Sequence, residues 1–259
     1  MAVSTIKAEF QCEIEKVCIG GKKMTCDEII EELKANASEK YKANVVKMGI
    51  PEEYSIGVST AVVRAIAKKA GKSNELAREL WNSGYHEAKL LAVLVFDKKT
   101  ISHDEIEKLI CDVQSWDLCD HLCKNLIIKL KSYDEFISKW ITSTHTYKKR
   151  AAFTLIASSV VHSKAITNDV LDDYLRIIQE YSDSEHEHVR KSISWALREI
   201  GKKDFTYNEK AILLAYELKE SGNKNKMWIA KDALKELETL VKVEGRGRLI
   251  SSNSKMGRE

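Results

Sequence analysis

Apolar residues recur along this chain at helical spacing. Leu118, Leu122, Leu126 and Leu130 follow Ser115 at every fourth position, which predicts a helix of about four turns with the serine as its N-cap. Trp116, Asp120 and Lys124 form a second stripe on that helix, a quarter turn or more from the leucines, so they need not face the core. Helix starts recur as well. Ser or Thr followed three residues later by Glu, the capping-box pattern, occurs at Thr25/Glu28, Ser102/Glu105, Ser132/Glu135 and Thr206/Glu209, each ahead of an apolar-periodic run. Thr167 supplies one more start, and second helices are predicted from near Ser115, His145, Glu185 and Asn225. Upstream, the pattern predicts helices over 60–70 with Gly71 as the stop, over 74–82 with Gly84 as the stop, and over 86–96.

The starts at 102, 132, 167 and 206 are 30, 35 and 39 residues apart. Helix pairs at such a period predict an all-α fold, a superhelical array of antiparallel helix pairs (a HEAT-like α-solenoid), over residues 25–242. Residues 1–24, with Ile6, Phe10, Ile14 and Val17 ahead of Gly20-Gly21, read as an N-terminal extension or cap. Residues 243–259, short of apolar side chains and rich in Gly, Ser and basic residues, read as a flexible basic tail.

Composition supports this reading. The 259 residues are 44% hydrophobic and include one proline and 11 glycines, so helix breakers are scarce. The longest apolar run, 90–96, is far short of the ~20 residues that a membrane span needs. With no leader pattern at the start, the expectation is a cytoplasmic protein, nucleoid-associated when bound to DNA. The six cysteines, Cys12, Cys18, Cys26, Cys111, Cys119 and Cys123, form no CxxC pair. His121 projects from another face than Cys119 and Cys123, so buried reduced thiols are expected, with no metal.

A net charge of +3 decides nothing about partners, but the placement of charge does. In a helical solenoid one set of helices lines the binding surface. The second helices here share basic residues and tryptophans: Trp116 and Lys124 on one; Lys148, Lys149 and Arg150 on the next; then Arg190, Lys191, Trp195 and Arg198; then Lys224, Lys226, Trp228 and Lys231. Merged on a curved array, they predict a positive groove with aromatic faces that binds a phosphate backbone. Trp81, Trp140 and Trp228, without an acid in the pattern, read as core.

The segments "SWDLCD", "KKRAAFTLIA" and "VRKSISWALREIGKK", in this order on paired helices, resemble the bacterial alkylpurine DNA glycosylases of the AlkD type. The resemblance runs from about residue 40 to 235 and includes "ELWNSGYHEAKLLAVLV" upstream. It implies a catalytic site of Asp120, Trp116 and Trp195, with Arg150 holding the nearby DNA backbone. It also makes Tyr41 the candidate for an aromatic on the DNA surface, in a stretch where this chain departs from the family pattern with "PEEYS" after "MGI".

The implied activity is a monofunctional glycosylase acting, as a monomer and without metal or cofactor, on double-stranded DNA that carries N3- or N7-alkylated purines. Such a purine is cationic and leaves as a neutral base, so positive charge moves onto the sugar. A fixed carboxylate there stabilises the oxocarbenium-like transition state and orients water. Two other readings stand beside it: a catalytically silent DNA-binding relative that recognises unusual or damaged DNA, and a protein-binding scaffold, whose groove would be apolar or mixed.

Overall fold

The computed structural model describes residues 24–47, 49–163 and 166–258; the expected N-terminal cap, with Cys12 and Cys18, lies outside them apart from Met24. Among the described residues there are thirteen α-helices: α1 Cys26–Ala35, α2 Glu39–Lys47, α3 Thr60–Ala70, α4 Asn74–Asn82, α5 His86–Val95, α6 His103–Cys111, α7 Trp116–Asn125, α8 Tyr133–Trp140, α9 Thr146–His162, α10 Asn168–Tyr181, α11 Glu187–Gly201, α12 Phe205–Glu220 and α13 Lys224–Leu237. The helices pair in two layers. In the inner layer α3, α5, α7, α9, α11 and α13 pack each on the next, and α4, α8, α10 and α12 back them from the outer side. The fold is the all-α, HEAT-like helical solenoid that the repeat spacing predicts.

Local chemistry sets the helix starts. Thr25 and Glu28 form a reciprocal capping box, with the threonine Oγ1 accepting from Glu28 N at 3.2 Å and Thr25 N donating to Glu28 Oε2 at 3.0 Å. Ser102 and Thr167 cap α6 and α10 in the simpler way, each accepting one backbone N–H. Two expected boxes do not form. Ser132 precedes α8, but its Oγ meets the His103 ring at 2.6 Å instead of a backbone N–H. Thr206 lies inside α12, whose cap is Asp204 accepting from Tyr207 N at 3.0 Å.

Helix α7 is shorter than the four turns expected. Asn125 donates its side-chain amide to His121 O at 2.9 Å, Leu126 leaves the helical region (φ −124°, ψ −64°), and Ile127–Lys129 forms a 3-10 turn. Leu118, Leu122 and Leu126 are buried as expected, and His121 is buried beside them. Burial, reinforced by the charge of Arg64, pushes the His121 imidazolium down to a pKa of about 4, so the ring is neutral.

Between α2 and α3 the chain wraps around a buried carboxylate. Glu87 of α5 accepts from Ser55 Oγ at 3.1 Å and from the backbone N–H groups of Ile56, Gly57 and Val58 at 2.9, 2.7 and 3.1 Å. Gly57 (φ +90°) is required there, since a Cβ would come within 2.7 Å of Lys42 Cβ and 2.8 Å of Ser38 O. Four charge-assisted bonds thus fix the loop that carries α2 toward the inner layer.

The C-terminal segment corrects the expectation of a flexible tail over 243–259. Leu240–Val241 pairs antiparallel with Ile250–Ser251, and Leu249 is buried. Arg248 donates to Val160 O at 2.9 Å, and to Glu199 O and Oε2 at 2.7 and 2.8 Å. One buried leucine, one arginine and a short strand pair dock a segment whose average composition is polar. Of the described cysteines, Cys119 and Cys123 are buried thiols as expected, whereas Cys26 is half-buried and Cys111, on the last turn of α6, is exposed.

Candidate nucleic-acid interface

Helices α7, α9 and α11 bring the candidate residues together. Trp116, Asp120 and Lys124 run along the open side of α7, while Arg150 and Thr154, one turn apart on α9, face them. The Arg150 guanidinium grips Asp120 with both arms, Nε to Oδ1 at 3.0 Å and Nη2 to Oδ2 at 2.8 Å, and Thr154 Oγ1 donates to Oδ1 at 3.1 Å. Arg150 also donates through Nη1 to His188 O on α11 at 2.5 Å, and its guanidinium lies 5.8 Å from the centre of the Trp116 ring.

The ion pair is largely buried, the Arg150 side chain being 6% exposed and that of Asp120 13%. Each partner keeps spare capacity. A carboxylate offers about four lone-pair positions and a guanidinium five N–H donors. Three bonds to Asp120 and three from Arg150 leave one acceptor position on Oδ2 and two N–H groups uncommitted.

A cleft of about 540 Å³ opens beside Arg150, lined by Lys47, Gly49, Trp116, Arg150, Glu187, His188 and Lys191. Burial, followed by the positive charge of Arg150, lowers the pKa of His188, so this ring is neutral, and Tyr147 stacks on it at 6.2 Å. Trp195 sits farther along α11. It is half-buried, its Nε1 donates to Glu199 Oε1 at 3.2 Å, and Lys124 Nζ lies 4.3 Å from its ring centre. Glu199 is itself held by Lys202 and Arg248.

The basic residues singled out in the sequence do not share one surface. Arg150 and Lys191 line the cleft, the latter paired with Glu187 at 2.6 Å. Lys148 points to the outer layer, where Glu107 at 2.8 Å holds its pKa above the ordinary lysine value. Lys149 lies 5.9 Å from the Tyr181 ring centre. Arg190 lies over Trp228, 5.6 Å from its centre, in a neighbouring cleft of about 490 Å³ with Lys224 and Asn225. Trp228, expected in the core, is half-buried there, whereas Trp81 and Trp140 are core residues. Tyr41 is half-buried on α2 and is not among the cleft-lining residues, which take Lys47 and Gly49 from the end of that element instead.

Sequence reasoning missed Thr154, His188 and Glu199. Thr154 carried a signal, four residues after Arg150 on the same face of one helix, and Glu199 stands likewise four after Trp195. His188 carried none, because it acts through its backbone carbonyl.

The comparisons with known proteins bear on this site. Among solved structures, one similar protein is described as belonging to "a new family of proteins related to the HEAT-like repeat DNA glycosylases with affinity for branched DNA structures"; it shares 20% identity, covers 91% of this chain and 93% of its own, and superposes with a TM-score of 0.69. An engineered protein, at 13% identity and a TM-score of 0.40, covers 82% of this chain and 96% of its own. No curated protein matches the sequence. The sequence model of the family described as "DNA alkylation repair enzyme" matches residues 29–237, most of the chain and the whole of the site, and the protein belongs to that family.

Proposed function

We propose that the protein is a monofunctional DNA glycosylase that hydrolyses the N-glycosidic bond of cationic N3- or N7-alkylated purines in duplex DNA. The observation that carries this reading is Asp120: a carboxylate locked by Arg150 and Thr154, one turn from Trp116, with Trp116 and Arg150 themselves lining a cleft that also holds Lys47 and Lys191. The locked geometry suits electrostatic stabilisation of the oxocarbenium-like sugar, because the carboxylate needs no reorganisation as charge develops. Its open Oδ2 position is suited to hold the attacking water. Trp116 and Trp195 exclude solvent on either side and attract the developing cation. The two free N–H groups of Arg150 serve the adjacent phosphate. Family membership supports action on DNA, and no step in this scheme uses a metal or cofactor.

A catalytically silent DNA-binding role is the second reading, and one observation favours it. Three of the four acceptor positions of Asp120 are already taken, as they would be in a purely structural pair. The relative with affinity for branched DNA is consistent with it.

Release of 7-methylguanine from a duplex under single-turnover conditions separates the readings. The wild type should excise, and Asp120→Asn should lose on the order of 10²-fold or more in rate while keeping affinity for the duplex. Breaking a buried pair costs about 3–5 kcal/mol of stability, so the rate is taken on the folded fraction at a temperature below the variant's melting point. Absence of excision by the wild type would establish the silent reading.

A further inference from the structure

The inner layer has a second basic edge, at the opposite end of the helices from Trp116. Arg64 of α3 reaches the last residue of α7, with both Nη atoms 3.5 Å from Asn125 Oδ1. Lys68 follows one turn later, and with Arg64, Ala67, Gly71, Lys72 and Leu94 it lines a cleft of about 360 Å³. Lys129, in the 3-10 turn after α7, and Lys98, after α5, complete the group. Burial pushes the Lys129 ammonium below the ordinary lysine value, and the positive charges of Lys72, Lys98 and Arg64 push it the same way.

Helix dipoles do not account for this crowding. A cation at a helix C-terminus is favourable, and Lys72 is used in this manner, donating to Leu94 O at 2.6 Å and Phe96 O at 2.9 Å at the end of α5. Asp97 offsets the charge of Lys72. Among the described residues, no carboxylate oxygen lies within salt-bridge distance of Arg64, Lys68, Lys98 or Lys129. Arg64 and Lys68 at the cleft, with Lys98 and Lys129 near them, form a group of like charges whose mutual repulsion a bound anion relieves.

We propose that Arg64, Lys68 and Lys129 form a second phosphate-binding edge, which takes the backbone of the strand opposite the one lying against Trp116 and Asp120. This rests on the duplex-binding reading above and not on catalysis. Spacing supports the strand assignment. From Trp116 to Asn125, α7 rises about 14 Å at 1.5 Å per residue, close to the ~12 Å width of the major groove that separates the two backbones of one duplex. Asp120, Lys124 and Trp195 lie between the two edges, where the bases and sugars of the bound duplex would face them.

The test is a salt series on the full chain. Affinity for an undamaged duplex and for one of its strands alone is measured for the wild type and for the triple variant Arg64→Ala/Lys68→Ala/Lys129→Ala, with Lys72 kept because it caps α5. Each lost phosphate contact lowers the slope of log K against log salt by about 0.9, so the duplex slope should fall by about 2–3 while the single-strand slope stays within about 1. A charge-matched variant on the outer layer, Lys139→Ala/Lys148→Ala/Lys210→Ala, should leave the duplex slope unchanged. An unchanged duplex slope in the first variant, equal losses on duplex and single strand, or the same loss in the outer-layer control would each overturn the proposal. The single variants Lys68→Ala and Lys129→Ala, at about 0.9 each, give the same readout if the triple variant is poorly folded. Excision is not part of the measurement, so a protein without glycosylase activity can still pass it.

Discussion

The five tryptophans divide by layer. Trp81 and Trp140, on outer helices α4 and α8, are 5% and 1% exposed, and each indole N–H is tied to an acid, Asp112 at 2.8 Å and Glu107 at 2.8 Å. Trp116, Trp195 and Trp228, on inner helices α7, α11 and α13, are half-buried, and each takes a cation from a different inner helix: Arg150, Lys124 and Arg190. A cation over the ring does not by itself mark the inner group, since Lys89 stands 5.3 Å from Trp81 as well. What separates them is burial, since the outer rings are almost wholly enclosed whereas each inner ring keeps part of its surface exposed. The same residue type is thus a packing element in one layer and a platform in the other, and the layer decides which.

Mutations can break or sharpen this division. Trp140→Ala should have the largest effect, a loss of about 3–5 kcal/mol in thermal or denaturant unfolding, with normal excision and DNA affinity in the fraction that stays folded. Trp195→Ala should behave in the opposite manner, keeping stability within about 1 kcal/mol while excision of 7-methylguanine falls by about tenfold or more. If Trp195→Ala destabilised as strongly as Trp140→Ala, the layer rule would be wrong. The smallest effect is expected at Lys148, which the Glu107 pair holds in the outer layer. Lys148→Ala should leave the salt dependence of DNA binding unchanged and stability within about 1 kcal/mol, measured by fluorescence anisotropy and by unfolding.

Where the sequence was legible, the signal was local. Capping residues and apolar periodicity act within one helical turn, so Thr25, Ser102 and Thr167 announced their helices, and the period of the starts announced the array. The misplaced start at Thr206 shows the limit, since Asp204 two residues earlier offered an equally good cap. The run Lys148, Lys149, Arg150 read as one patch, but successive helical residues point about 100° apart, so three in a row cannot share a face. The grip of Arg150 on Asp120 joins residues 30 apart, and neither periodicity nor capping encodes a contact of that range. The resemblance placed both residues in one site without showing that they hold each other.

The docked C-terminal segment has a consequence for the order in which the protein is made. Arg248 reaches back 88 residues to Val160 and 49 to Glu199, the acid that receives the Trp195 indole. A ribosome emits the helices of α9 and α11 well before it emits Arg248, and each helix pair can pack on its predecessor as it emerges. The scaffold is therefore assembled progressively from the N-terminal side, while the support of the Trp195 indole waits for the final stretch of the described chain. In a nascent polypeptide stalled before residue 248, the array would be folded and Glu199 would lack one of the two cations that steady it.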